Sequence, residues 1–488
     1  MISICKHLII SRLRLYNPST GSYSQVMTPT LLPPADWAQM EFALTKLGDQ
    51  RRTNRLVNIA THLVQSPGGT LPQAFPDWAE LKAAYRFFDQ PKAGWEQIGT
   101  AHWERTRAAC QEPGEYLLIE DTTALDYTGG SGREDLGVIG DGRGRGLMLH
   151  STLAVKTEAW NLEQRPEGVV LGLFAQHCWN RRPDPKRKTE TRAQLLRRPR
   201  ESQRWAAVFE QVDRPPQGTR WIYIADRESD FYEPIAQCQR RGVDFIIRSC
   251  QNRKLAGEPG YLQEALEGAA VAGQMTAELR SRPGQAARTA IVEVRTAAVI
   301  SKGPYRPGGY QPNLPLSVVE VREVDAPEGV EPLHWILLTS LPCGRWVEVK
   351  RIIGRYTARW WIEEYHKALK SGVGAEESQL QRAYRLESLV AVLAIVAVRL
   401  LNTKFLARAR PDEPVDERMF GVQMLMILTT RFGKPKGGWT HSTTLVAVAR
   451  VGGFIGRRSD GLPGWQTIWR GWQRLIWMCE GLETLNIK

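Results

Sequence analysis

The sequence predicts an α/β protein, with an open sheet at its centre, a helical unit before it and another after it. Three observations lead there. Two apolar runs, YLLIED (116–121) and RWIYIAD (220–226), read as buried strands that each end in an acid. Strand-like and helix-like segments alternate between and after them. The two ends of the chain instead carry apolar residues at steps of three and four, the helical period.

Residues 1–26 show no clear periodicity, and the apolar cluster Leu8–Ile10 is too short for a secretory signal. The expectation is a disordered leader, with Met27 as a functional start; the alternative is a basic arm carrying Lys6, Arg12 and Arg14. Pro33–Pro34 precede a helix with Trp37, Phe42 and Leu44. Asp49 is placed to cap QRRTNRLVNIATHLV, in which Leu56, Ile59, Ala60, Leu63 and Val64 form an apolar stripe. Arg51, Arg52 and Arg55 lie off that stripe. A third helix near 77–88 carries Lys82 and Arg86. Residues 27–100 thus read as a small helical domain with basic faces, which fits DNA binding.

Within 101–385, YLLIED, HSTLAVKT (150–157) and GVVLGLFAQHCW (168–179) read as three strands. A helical stretch near 190–212, interrupted at Pro199, precedes RWIYIAD. A helix near 230–241 and the strand VDFIIRS (243–249) follow, and a helix at 356–371 closes the unit. The order β-β-β-α-β-α-β matches a ribonuclease H-like core. Residues about 250–350, rich in Val, Thr, Gly and Pro, read as an inserted β subdomain. From 386 to 488 the chain is helical again. LVAVLAIVAV (389–398) falls short of the roughly 18 apolar residues of a membrane span and is expected to be a buried helix. Trp465, Trp469, Trp472, Ile476 and Cys479 form a stripe that serves either the core or a dimer.

Composition narrows the function. Of 488 residues, 65 are Lys or Arg and 52 are Asp or Glu, a net +13, which points to a polyanionic partner, nucleic acid before membrane. The stretch from Arg181 to Arg204 alone holds ten basic residues and three acids. Seven scattered cysteines without a CxxC argue against a disulfide framework and a structural zinc site. The eight histidines form no HxH or HxxxH pair, so any metal is expected to have oxygen ligands, which suits Mg²⁺ or Mn²⁺. The expected location is cytoplasmic, on the nucleoid when bound to DNA.

The densest chemistry lies in YTARWWIEEYHKALK (356–370). As one helix, it would project Tyr356, Arg359, Glu363, Lys367 and Lys370 from one stripe and bury Trp361, Ile362, Tyr365, Ala368 and Leu369 behind it. A solvated face with a Glu363–Lys367 pair is the plain alternative. Asp121 and Asp226, however, stand at strand ends where open α/β sheets place ligands. Three converging carboxylates repel one another and call for cations. Two divalent ions would form a clamp for in-line attack at phosphorus.

At this point the chain resembles a known family, the bacterial insertion-sequence transposases of the DDE type with a Tyr-Arg-Glu-Lys signature. Tyr356-x2-Arg359-x3-Glu363-x6-Lys370 matches that signature. IEDTT (119–123) and DRE (226–228) resemble the segments carrying the first and second catalytic Asp. LGDQRRTNRLV (47–57) and AAYRF (83–87) resemble the DNA-end-binding helices, and WILLTS (335–340) and GGF with PGW (452–465) also fit. The resemblance runs from about Trp37 to Leu482. It implies a homodimer that pairs two transposon ends, cuts them through hairpin intermediates and joins the 3′ ends to target DNA, without a covalent protein–DNA intermediate. It implies metal binding, two ions per site, for Asp121, Asp226 and Glu363. Grip on DNA is implied for Tyr356, Arg359 and Lys370, and end binding for the helices carrying Arg51, Arg52, Arg55 and Arg86; Lys367 and Arg248 are further expected DNA contacts. Trp335 corresponds to the aromatic that stacks on a flipped base. The competing readings are a catalytically silent transposase-derived inhibitor, a structure-specific nuclease on the same fold, and a tyrosine recombinase using Tyr356.

Overall fold

The computed structural model describes residues 32–488 except 76, 130–132, 134, 182–213, 280–286, 307, 416, 458–459, 462 and 487–488. The leader, the helix expected near 190–212 and most of the basic stretch from Arg181 to Arg204 therefore lie outside the described residues.

The chain opens with helices α1 (Pro34–Phe42), α2 (Gln50–Gln65), the short α3 (Leu71–Ala74), α4 (Trp78–Phe88) and α5 (Trp95–Ala109). Asp49 caps α2 as its position predicts, with Oδ1 accepting the Arg51 N–H at 2.8 Å. Leu56, Ile59, Ala60 and Leu63 are buried, whereas Leu44, expected on the first helix, is an exposed residue beyond its end. Helix α5 runs across the domain boundary placed at residue 100. It fastens the helical unit to the sheet: Glu41 of α1 pairs with His102 and Arg105, and His102 Nε2 accepts the Leu173 N–H at 3.0 Å.

The central sheet begins with β1 (Gly114–Asp126), β2 (Gly137–Ile139), β3 (Gly144–Trp160) and β4 (Pro166–Trp179). Then come β5 (Thr219–Ala225), α6 (Tyr232–Arg241) and β6 (Asp244–Arg248). β3 pairs antiparallel with both β1 and β4, while β5 pairs parallel with β1 and with β6. The strand order across this part is β4-β3-β1-β5-β6, and the molecule is mixed α/β.

Side chains alternate across β1. Leu117 and Ile119 pack into the core shared with the helical units, whereas Tyr116 and Leu118 pack with residues of β5 and α6. Both faces are covered, which is why YLLI is a continuous apolar run.

Residues 250–350 hold α7 (Leu262–Glu267), β7 (Val271–Leu279), β8 (Arg288–Ser301), the hairpin β9 (Tyr305–Arg306) and β10 (Gly309–Tyr310), β11 (Leu314–Val324) and β12 (His334–Thr339). This stretch, expected as a β subdomain, does not build a detached sheet. β12 pairs antiparallel with β6, and β11, β8 and β7 extend the same ten-stranded sheet, because β6 offers an open edge that β12 fills.

Helices α8 (Trp346–Thr357) and α9 (Trp360–Lys367) follow. Next come α10 (Ala383–Ala409), α11 (Glu417–Phe420), α12 (Val422–Phe432), α13 (His441–Val451) and α14 (Trp465–Asn486). α10 crosses the boundary placed at 385. It is long and apolar enough to cross a membrane, yet the whole of its most apolar window is buried inside the molecule.

Candidate active site and nucleic-acid groove

The expected single helix over 356–371 is two helices. Between them, Arg359 N bonds to Tyr356 O, Trp361 N to Ala358 O and Ile362 N to Arg359 O, all three residues back. This is a 3₁₀-type tightening of the ladder. Past Lys367 the chain widens into a π turn over Ala368–Gly372. The four signature residues consequently do not form one even stripe. Tyr356 is buried at the end of α8, Arg359 and Glu363 flank the start of α9, and Lys370 sits in the π turn. Of the expected apolar face, Ile362, Tyr365, Ala368 and Leu369 are buried, whereas Trp361 is half-buried and lines the groove described below. Tyr365 pins α9 to the sheet: Gln176 of β4 donates to its hydroxyl at 2.8 Å and to Ser151 Oγ of β3 at 2.9 Å.

Asp121 pairs with that same Ser151 in the β1–β3 register. β1 continues to Asp126, so Asp121 is not at the end of its strand. It does lie just past Ile119↔Ile224, the last parallel pair with β5. Asp226 follows β5 directly and caps the 3₁₀ turn Arg227–Ser229, its Oδ1 accepting the Glu228 N–H at 2.8 Å. The two acids thus stand at the carboxyl edge of adjacent parallel strands.

Their charges interact. Burial pushes the Asp121 carboxyl up to about 7, and the nearby negative charge of Asp226 adds to the effect, against the opposing pull of Arg359. Glu363 enters through that arginine. The Arg359 guanidinium bonds to Glu363 Oε1 with one nitrogen and lies 3.4 Å from Asp121 Oδ2 with another. Among the described residues, no three His, Cys, Asp or Glu side chains form a group that could hold a metal ion. The bare three-carboxylate convergence expected from the sequence is therefore replaced by an Asp121–Arg359–Glu363 bridge beside Asp226. The guanidinium is the cation that neutralises it.

The other two cations of the expected stripe are paired as well. Lys367 pairs with Glu364 at 3.2 Å, not with Glu363, and lies over the Trp360 ring. Lys370 pairs with Glu376 at 3.3 Å.

A groove of about 1230 Å³ passes the bridge. Eight Arg or Lys side chains, among them Arg227, Arg248, Lys350, Arg359 and Arg408, line it with six Glu and with Trp335, Tyr356 and Trp360, so the cations are in slight excess. Asp121, Asp226 and Glu363 stand beside it, outside its lining. Trp335 is half-buried on β12 and meets Tyr356 edge-on at 5.1 Å between ring centres. Arg248 ends β6 and donates to the His334 carbonyl at 3.1 Å. Such cationic and aromatic side chains suit phosphates and unstacked bases. Arg51 and Arg86 are exposed and Arg55 is half-buried, while Arg52 donates to the Leu47 carbonyl. All four lie on α2 and α4, away from this groove.

Sequence reading missed several contributors. Arg227 and Trp360 line the groove, and neither has a period or partner that singles it out. Asp230 is buried and holds the 249–253 loop: it accepts from Ser249 Oγ, Cys250 N and Gln251 N and pairs with Arg253. The DRESD string shows the acid, but its partners lie about twenty residues downstream, where no local rule reaches.

Residues 34–93, spanning α1 to α4, match the family described as transposase DNA-binding. That match supports a transposase-type DNA-binding function.

Proposed function

We propose that this chain is a DDE transposase that excises a DNA element through hairpin ends and joins the freed 3′ ends to target DNA. The observation that carries this reading is the pair Asp121 and Asp226 on adjacent parallel strands, bridged through Arg359 to Glu363 beside a groove with cationic and aromatic side chains. The order β4-β3-β1-β5-β6 supports a ribonuclease H-like core, and the match over 34–93 supports DNA-end recognition by α2 and α4.

The donor set fits hard divalent cations. Two crowded carboxylates, one pushed up to about 7, have a single guanidinium to relieve them. Asp121 and Asp226 would hold Mg²⁺, or Mn²⁺, two ions per site, with Glu363 completing the set once Arg359 is drawn away from it. Bound there, the ions would supply Lewis-acid activation of the attacking oxygen and neutralise the leaving one. The chain's own residues do the rest. Arg359, drawn off Glu363 by a DNA phosphate, changes from internal counter-ion to phosphate grip. Tyr356, Arg248, Lys367 and Lys370 extend that grip, and Trp335 offers its ring to an extruded base. Two copies would act together, one on each end, on bacterial DNA in the cytoplasm.

The test searches the DNA flanking the gene for inverted repeats and mixes the protein with duplexes carrying them, in Mg²⁺. Nicks with free 3′-hydroxyls, then hairpins, are expected. Trp335→Ala should spare nicking and impair hairpin formation. Binding without any cleavage would favour the silent inhibitor, cutting of branched DNA regardless of ends the nuclease, and a covalent adduct at Tyr356 the recombinase.

A further inference from the structure

Next to Asp121 in sequence, on the opposite face of β1, stands a buried acid that the proposed chemistry does not use. The Glu120 side chain has no solvent exposure. Its Oε1 accepts from the Tyr223 hydroxyl of β5 and from Ser229 Oγ at 3.4 Å, with His150 Nε2 of β3 at 3.3 Å. The Tyr223 hydroxyl, its proton on Glu120, lies 3.1 Å from Ser229 Oγ, and His150 Nδ1 meets Thr122 Oγ1 at 2.9 Å. Glu120 Oε2 makes no hydrogen bond among the described residues.

A carboxylate buried this way is costly, and a hydrocarbon of similar volume would fill the space more cheaply. What the acid adds is direction. Ser229 closes the 3₁₀ turn that Asp226 caps, so the bond from Ser229 ties that turn to β1, one residue from Asp121. One carboxylate therefore joins β1, β3, β5 and the turn after β5. Asp230 anchors the far side of the turn to the 249–253 loop, leaving Glu120 and Tyr223 to set its near side.

We propose that Glu120, through Tyr223 and Ser229, is a positioning residue that sets the spacing of Asp121 and Asp226 for divalent-cation binding. It touches neither cation nor DNA. The inference rests on the reading of those two aspartates as metal ligands. Partners standing behind metal ligands typically change affinity by about 10–100-fold when removed.

The experiment measures Mn²⁺ binding to the full chain without DNA by electron paramagnetic resonance, alongside the Mg²⁺ concentration for half-maximal cleavage and the affinity for end DNA. Ser229→Ala, a minimal change, and Glu120→Ala should each weaken Mn²⁺ by about tenfold or more, raise the Mg²⁺ requirement in parallel and leave end binding unchanged. Glu120→Gln keeps an oxygen acceptor and should restore Mn²⁺ affinity to within about threefold of the parent. A folded Ser229→Ala protein that binds Mn²⁺ as the parent does would overturn the positioning role, whether or not Glu120→Ala folds. If the parent binds no more Mn²⁺ than Asp121→Ala, the metal-ligand reading fails first and takes the positioning role with it.

Discussion

Glu363 and Glu364 are neighbours on α9 and occupy opposite electrostatic settings. Glu363 faces the front of the site, where it shares Arg359 with Asp121 beside Asp226. Glu364 faces backward. Its Oε2 accepts from Lys404 of α10 and from Trp465 Nε1 of α14 at 2.7 Å, and Lys367 lies 3.2 Å from its Oε1. The ring of Trp465 also stacks under the Lys404 ammonium at 4.4 Å. At the front, acids outnumber cations and crowd one another. At the back, every oxygen of one acid has a donor. A turn of about 100° along one helix thus separates a group bridged to the strand acids through Arg359 from a group spent on holding the helix still.

The front should carry activity and the back stability. The largest effect expected is on cleavage: Glu363→Ala, Asp121→Ala or Asp226→Ala should abolish it while end binding persists, as judged by gel shift and strand-specific nicking. Glu363→Ala cutting at the parent rate would dissolve the contrast. Next in size is Glu364→Ala, which strands the buried Lys404 ammonium and should cost about 3–5 kcal/mol in a urea titration. A loss under about 1 kcal/mol would mean that the brace is ornamental.

The pH dependence of stability should have opposite signs in the two places. The Asp121 carboxyl sits near 7 when folded against an ordinary 3.8, so the native state holds an extra proton between those values. In metal-free buffer its contribution makes the fold less stable as pH rises from about 4 to about 7, and Asp121→Asn should flatten that slope. Burial pulls Glu364 upward, but the bond and charge of Lys404 overcome it and bring the carboxyl down to about 2. Its stabilisation is complete above an ordinary 4.5 and is lost as pH falls towards 2, a branch that Glu364→Gln should remove. Denaturation series at stepped pH test both. The smallest effect belongs to exposed charge: Arg86→Ala should weaken end binding slightly and reduce its salt slope by about one phosphate contact. An unchanged slope would take α4 out of the DNA interface.

Much of the scaffold was legible from residues alone, because its causes are local. The period of 3.6 and an Asp cap define α2, and the apolar runs ending in acids define β1 and β5. The buried face of α9 follows from spacing, as does the proximity of its charged residues. Spacing does not choose among cations. It offered Lys367 to Glu363, whereas the structure pairs Lys367 with Glu364 and bridges Glu363 to Asp121 through Arg359. That choice depends on a carboxylate about 240 residues upstream and on a helix that tightens before it and widens after it. The joining of 250–350 to the main sheet, and the burial of Glu120 under Tyr223, are equally non-local. Hydrophobic period and capping are set within a few residues. Which charges meet, and which are dried out, is decided only when distant strands close around them.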